Sequence, residues 1–266
     1  MAASHEVAPG HALVTLESDI GAEAAPGQFV QVALSGVAGA FLPRPFSFHR
    51  ASADRFQLLS RTVGPGTAAI AALRPGDRVA VLGPLGHGFE LRGLGADATL
   101  VLVGGGVGVP PLHHVADFVR AGAAGAEAAR TKVVALIGAA SAELLLAVAE
   151  LRALDVEVRV STDDGSAGSH GLVTDLLGDL LRGSGGSATR RFAALACGPQ
   201  PMLRAVAGIC AAASVRCQVA MEEPMACGYG VCLGCAIPAA SAGSDPVRYL
   251  LLCKDGPVFD ADEVAW

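Results

Sequence analysis

Cys227, Cys232, Cys235 and Cys253 constrain this chain more than any other feature. The first three fall in one stretch, Met225-Ala-Cys-Gly-Tyr-Gly-Val-Cys-Leu-Gly-Cys-Ala236, and the fourth follows after seventeen intervening residues. Thiolates spaced C-x4-C-x2-C with a distant fourth suit a [2Fe–2S] cluster. Such a cluster is doubly negative when oxidised and gains a further charge with one electron, so backbone N–H groups must converge on the sulfurs. A loop supplies them only if it folds tightly, and Gly228, Gly230 and Gly234 are expected to give that freedom, because glycine reaches positive φ without a steric penalty. Structural zinc is the rival reading. It favours two separated C-x2-C knuckles, and only Cys232 and Cys235 form one. A third reading leaves the thiols unliganded.

The chain has 266 residues, enough for two domains with real cores. It is 52% hydrophobic with mean hydropathy +0.49, which raises the question of a membrane span. The longest apolar runs, such as residues 98–109, contain glycines or end at prolines well short of the ~20 residues a span needs. No membrane association is expected. The amino end lacks a basic start and an apolar centre, so no export signal is expected. Net charge is −6 with no Lys/Arg cluster, which argues against nucleic acid as a partner. Seven cysteines without an export signal point to reduced thiols in the cytoplasm. Cys210 and Cys217 read as packed small hydrophobes.

Three regions follow one another, at 1–97, 98–218 and 219–266. The first shows short apolar alternations at 11–16, 28–34, 46–49, 56–61 and 77–82, separated by turn signals such as Ala25-Pro-Gly27 and Arg74-Pro-Gly-Asp77. That spacing predicts an antiparallel β-barrel or sandwich. The second opens with Thr99-Leu-Val-Leu-Val103, a continuous apolar run suited to a parallel strand buried on both faces. Strands at 132–137, 157–161 and 191–197 then alternate with helices after Pro110 and at 142–153, 173–181 and 201–213. This predicts a doubly wound sheet. Residues 121–129 and 183–189 read as loops. The third region holds the cysteine loop, a Pro/Ser/Gly segment at 238–246 and a strand at 247–252.

Within the first region, Arg44-Pro-Phe-Ser47 offers a forked cation for a diphosphate and a hydroxyl for a flavin edge. Taken alone, Arg44 reads first as surface charge, and its weight comes from the segments that follow. Leu59-Ser-Arg61 closes a strand, and Val63-Gly-Pro-Gly-Thr67 opens a helix at 68–73, where unpaired N–H groups can meet a pyrophosphate. Thr67 also reads as a plain helix cap. Gly83-Pro-Leu-Gly-His-Gly-Phe89 is a second turn free of bulky side chains. After the 99–103 strand, Gly104-Gly-Gly-Val-Gly-Val-Pro-Pro-Leu112 permits close approach of a dinucleotide through Gly104, Gly105, Gly106 and Gly108, although it is not a strict G-x-G-x-x-G. Cys197, Gly198 and Pro199 follow another parallel strand at the same sheet edge, so NAD(H) is expected there as co-substrate. Cys197 reads equally as a packed residue at a strand end. Asp163-Asp-Gly-Ser166 lies on that edge too. It is either a ribose contact disfavouring a 2′-phosphate or simply a β-turn. His113 and His114 are expected to face solvent or cap their helix, having no acidic or cysteine partner at ligand spacing.

Taken in order, these segments resemble the electron-transfer subunit of type B dihydroorotate dehydrogenase, within the ferredoxin–NADP reductase superfamily. The cysteine run and the ending Cys253-Lys-Asp-Gly-Pro-Val-Phe259 are the specific part. The resemblance spans residues ~10 to 266. It departs at Pro224, where the family often has arginine, and at His87, where asparagine is usual. It implies a flavin-binding β-barrel, an NAD-binding α/β domain and a C-terminal [2Fe–2S] subdomain. FAD would be held by Arg44, Pro45, Phe46, Ser47, Leu59, Ser60, Arg61, Gly66 and Thr67. The cluster would be held by Cys227, Cys232, Cys235 and Cys253.

The resemblance also implies a relay within pyrimidine biosynthesis. Electrons would leave dihydroorotate at the FMN of a separate catalytic subunit, cross the cluster singly, pair on FAD and leave as hydride to NAD+. The assembly implied is a heterotetramer with two copies of each subunit. No residue of this chain reads as a catalytic acid, base or nucleophile. Two other readings stand: a reductase subunit of a hydrogenase or an NADH-dependent ferredoxin:NADP oxidoreductase, and a zinc-stabilised nucleotide-binding regulator.

Overall fold

The computed structural model describes residues 1–34, 36, 41–92, 94, 95, 97–183, 192–240 and 248–266. The expected starts at 191 and 247 and most of the 183–189 loop lie outside them. Strands β1 (Ala3–Ala8), β2 (His11–Glu17), β3 (Phe29–Ala33), β4 (Arg44–Ala51) and β5 (Arg55–Arg61) precede a short helix, α1 (Pro65–Ala71), and β6 (Ala80–Leu85). They form one antiparallel sheet in the order β1-β2-β5-β4-β3-β6. Alternation on β2, β3 and β5 sends Val14, Val30, Val32, Phe56 and Leu58 to one interior, where Phe48 and Ile70 join them. Phe48 and Phe56 meet edge to face at 5.3 Å. Strand β1 is an addition to the sequence reading, and the strand expected at 77–82 runs three residues later.

The second sheet begins with β7 (Thr99–Gly105), followed by α2 (Val109–Arg120), β8 (Lys132–Ala139), α3 (Val148–Ala153), β9 (Glu157–Thr162) and β10 (Ser169–His170). Helix α4 (Val173–Arg182), β11 (Phe192–Cys197), α5 (Gln200–Ala212) and β12 (Arg216–Ala220) complete the alternating part. The order β10-β9-β8-β7-β11-β12 is parallel throughout. Strand β7 explains the continuous apolar run. Leu100 and Leu102 pack under α2 with Leu112 and Val115, while Val101 and Val103 face Leu177 on α4 and Val206 on α5. Fully burying each such side chain contributes ~1.5–3 kcal/mol. The helix expected over 142–153 is broken. Ala147 adopts φ 56, and Leu146 just before it turns into the core at 2% exposure.

The last region adds β13 (Ala236–Pro238), β14 (Tyr249–Leu251) and β15 (Val258–Asp260). The first two pair with each other, and β15 joins the large sheet as an antiparallel edge beside β12. Cys235, Leu252 and Cys253 belong to the same buried cluster as Val101 and Val219, so the cysteine segment is anchored on the nucleotide sheet. The chain order reverses between β7 and β11. A crevice therefore opens at their carboxyl ends, where sheets of this kind bind ligands.

Candidate functional site

Both glycine-rich segments expected to meet a dinucleotide arrive at that crevice. Gly108 lies so close to the β11 end that a Cβ there would stand 2.4 Å from the Cys197 carbonyl oxygen and 2.6 Å from the Gly198 nitrogen. Gly105, by contrast, is bounded by side chains, the Met202 sulfur and Pro199. Gly104 serves packing instead, its face closed by Ile137, Val109 and Leu112. Gly105, Gly106, Pro199 and Met202 line one cavity of about 380 Å³ with Asp163, Gly138 and Thr174. Asp164 forms the turn, its Oδ1 accepting from the Ser166 N–H at 2.9 Å, while Asp163 faces the cavity. The two readings of Asp163-Asp-Gly-Ser166 thus fall on different residues.

A second cavity of about 460 Å³ runs between the two sheets. Pro45, Phe46, Ser47, Leu59 and Arg61 form its barrel wall, Pro110 and Cys197 its nucleotide wall, and Glu222 and Met225 its end. Flat apolar walls with a few polar groups suit an isoalloxazine ring. Arg44 packs its guanidinium against Gly66, where a Cβ would lie 2.9 Å from Nε, and also donates to the Leu42 carbonyl. This arginine, beside the opening of α1, fits a diphosphate. Thr67 caps its own helix, accepting from the Val63 and Gly64 N–H groups at 2.9 and 3.2 Å. Ser60 points away from the cavity lining and is fully buried with an unpartnered hydroxyl.

Glu222 is the residue that sequence reasoning missed. It follows β12 and reaches within 4.0 Å of the Cys197 sulfur. Burial pushes the Glu222 carboxyl up. Burial, reinforced by Glu222, pushes the Cys197 thiol well up. Both favour their protonated forms beside the cavity, and the only sequence signal was an acid placed directly after an apolar strand.

The contacts of the cysteine loop link its four cysteines two by two, Cys232 with Cys227 and Cys235 with Cys253. Cys235 and Cys253 are buried with sulfurs 3.3 Å apart, Cys227 is half-buried and Cys232 exposed. The Cys232 N–H reaches the Cys227 sulfur at 3.5 Å. That contact and the Tyr229 N–H hold the Cys227 thiol down to about 6. Burial and the Cys235 thiol push Cys253 up to about 12, so its proton leaves when a metal takes its place. Gly228 and Gly230 adopt φ +80 and +87, as expected, whereas Gly234 is outside the left-handed region and Leu233 takes φ 60 instead. N–H groups converging on sulfur in a left-handed loop fit an iron–sulfur cluster. The Gly83–Phe89 turn lies against this region's tail. A Cβ on Gly86 would stand 2.5 Å from the Gly256 carbonyl oxygen.

His113 and His114 are not at the surface. Both are buried, at 0% and 3% exposure, and His113 stacks on His49. The expectation of solvent-facing or capping roles fails because both rings turn inward: His113 meets His49 on β4 and Glu150 on α3, and His114 packs beside Phe48 and Phe118. Cys210 and Cys217 are buried core residues. Among the described residues no helix is long and apolar enough to cross a membrane.

Comparison with known proteins places this geometry. Residues 222–265 match the iron-sulfur cluster binding domain of dihydroorotate dehydrogenase B. The dihydroorotate dehydrogenase B (NAD(+)) electron transfer subunit of Geobacillus kaustophilus is 40% identical over 243 residues, covering 90% of this chain and 86% of that protein. A probable counterpart in Methanopyrus kandleri is 36% identical over 239 residues, covering 90% and 80%. Among solved structures, an NADH-dependent reduced ferredoxin-NADP oxidoreductase superposes with TM-score 0.82 at 26% identity, over 100% of this chain and 88% of that one. An Amycolatopsis cytochrome P450 reductase shares the fold at TM-score 0.65 and 22% identity, over 80% and 64%. The chain belongs to the family of dihydroorotate dehydrogenase B (NAD(+)) electron transfer subunits, within the ferredoxin reductase-like fold.

Proposed function

We propose that this chain receives electrons one at a time from the FMN of a separate dihydroorotate-oxidising subunit and delivers them in pairs to NAD+. The observation that carries the reading is adjacency. Met225 lines the cavity between the sheets, and the cluster ligand Cys227 follows two residues later. Two residues span at most ~7 Å, so cluster and cavity are neighbours. The bound groups supply the redox chemistry, the cluster taking single electrons and the flavin pairing them for hydride transfer.

The residues divide that work. Arg44, with Gly66 and Thr67 at the head of α1, holds the FAD diphosphate. Pro45, Phe46, Ser47, Leu59 and Arg61 shape the flavin side, with Ser60 buried behind them. Gly105, Gly106, Gly108, Cys197, Gly198 and Pro199 let the nicotinamide nucleotide approach, with Gly104 packed behind them. Cys227, Cys232, Cys235 and Cys253 hold the cluster. The domain limits are 1–97, 98–218 and 219–266, with β15 returning to the nucleotide sheet.

Cys232 is exposed, and its neighbours Tyr229, Val231 and Leu233 are 57%, 72% and 61% exposed. An apolar rim around a ligand at the surface suits docking of the catalytic subunit, in an assembly of two copies of each chain. Free thiols throughout the described residues suit a reducing cytoplasm. The test is Cys232→Ser in the assembled complex. Reduction of FAD by NADH persists, while electron exchange with the catalytic subunit stops. Normal exchange in that variant contradicts the reading.

A further inference from the structure

Behind the flavin cavity lies a buried polar cluster that the relay leaves without a role. His49 stands two residues beyond Ser47 on β4, at a β-bulge where Phe48 pairs with Leu58 and Arg50 with Gln57. His113 lies one helical turn beyond Pro110 on α2. Ser47 and Pro110 line the cavity from its two walls. The His49 and His113 rings stack at 4.1 Å with 15° between their planes. His113 Nδ1 is 2.9 Å from the His49 carbonyl oxygen. A carbonyl only accepts, so Nδ1 carries the hydrogen and His113 Nε2 keeps its lone pair. His49 Nε2 donates to Glu150 Oε2 at 2.7 Å, and the same oxygen stands 3.4 Å from His113 Nε2. Both rings are fully buried, while Glu150 keeps one edge at the surface. Three elements thus meet at one carboxylate: a strand of the flavin sheet, the helix behind the dinucleotide loop, and α3. A second ion pair, Arg50 to Asp117 at 3.5 Å, crosses the same seam between β4 and α2.

We propose that Glu150 is a positioning residue for hydride transfer: by accepting from His49 while packed against His113, it fixes the separation between the cavity wall at Ser47 and the wall at Pro110. The inference rests on the flavin reading of that cavity. A hydrogen bond to a carboxylate from a buried ring is among the stronger kinds, and its directionality fixes the β4 position. The hydrogen bond from His49 is also the main reason that the Glu150 carboxyl lies below its ordinary range. Metal coordination is the competing use, since the three ligand-type atoms lie within 4.8 Å of one another. Nearly parallel rings send their in-plane lone pairs side by side, so a shared ion would have to splay the stack. The hydrogen-bonded arrangement requires no such movement.

The test uses the assembled enzyme with its cofactors. Glu150→Leu removes the acceptor. FAD and iron contents stay at wild-type values, but single-turnover reduction of FAD by NADH slows by about ten-fold or more. The long-wavelength absorbance of the stacked nicotinamide–flavin pair weakens with it, a readout that a purely structural role does not move. Glu150→Gln keeps an acceptor for His49 and restores most of the rate. If Glu150→Leu fails to fold, Glu150→Asp decides. Its carboxylate is set back by one methylene, and the step slows while the charge remains. Rates within about two-fold of wild type in Glu150→Leu or Glu150→Asp overturn the inference. So does Glu150→Gln as slow as Glu150→Leu, or stoichiometric zinc that the wild type holds and Glu150→Leu loses. Wild-type protein lacking FAD, or unable to reduce it with NADH, sinks the functional reading instead.

Discussion

Gly108→Ala places one methyl group where two loops of the candidate nicotinamide site touch. The added Cβ would lie 2.4 Å from the Cys197 carbonyl oxygen, 2.5 Å from its carbon and 2.6 Å from the Gly198 nitrogen. Comfortable non-bonded separations begin at ~3.5 Å, so backbone must yield by about 1 Å. No side chain can absorb that movement, because the neighbouring atoms are main chain on both sides. A displacement of that size between reacting partners costs about 10²-fold in rate, or about 2.7 kcal/mol of barrier. The expected result is slow FAD reduction by NADH in anaerobic stopped flow, with FAD and iron contents unchanged. Gly208→Ala is the control. That exposed position on α5 has no atom within 4 Å of the new Cβ, so the variant keeps its rate and gains up to ~1 kcal/mol of stability. A Gly108→Ala rate indistinguishable from the control refutes the close-approach argument.

Arg44→Ala removes a charged donor worth ~1.5–3 kcal/mol, which weakens FAD binding about ten- to a hundred-fold; unchanged flavin content after gel filtration counts against the diphosphate assignment. Acid weakens the fold through the buried histidines. Burial, the main cause, holds His114 down to about 3 and His113 to about 4, against an ordinary value of 6.5. Between those values the unfolded chain binds more protons than the folded one, so stability is full above pH ~6.5 and falls below it by up to about 1.4 kcal/mol per pH unit per histidine. Urea midpoints at pH 7.5 and 5 measure this, and equal midpoints would remove the argument.

Most of the candidate site was legible in sequence, because its parts are short and local. The cysteine spacing, the Gly104–Gly108 run and Arg44-Pro-Phe-Ser47 each lie in one continuous stretch. Strand β7 was legible too, since burial on both faces leaves a run without polar interruption. What escaped depends on distant partners. Strand β1 is a mostly exposed edge, Ala3-Ser-His-Glu-Val-Ala8, whose place is set by pairing with β2 rather than by its own pattern. Strand β15 has three residues and exists because β12 offers an open edge. The break at Ala147 arises where Leu146 finds the core, which helical periodicity does not announce. His113 took its role from His49, 64 residues away, and Glu222 from Cys197, 25 residues away. Leu233 in place of Gly234 shows that the loop's left-handed positions are chosen by its wrapping and not by glycine alone.

The proposed relay requires that four thiols of this chain cage a cluster beside a flavin. Iron and acid-labile sulfide analysis of anaerobically purified protein tests it most directly. About two irons and about two sulfides per chain are expected, lost together in Cys232→Ser. Tightly held zinc without sulfide contradicts it.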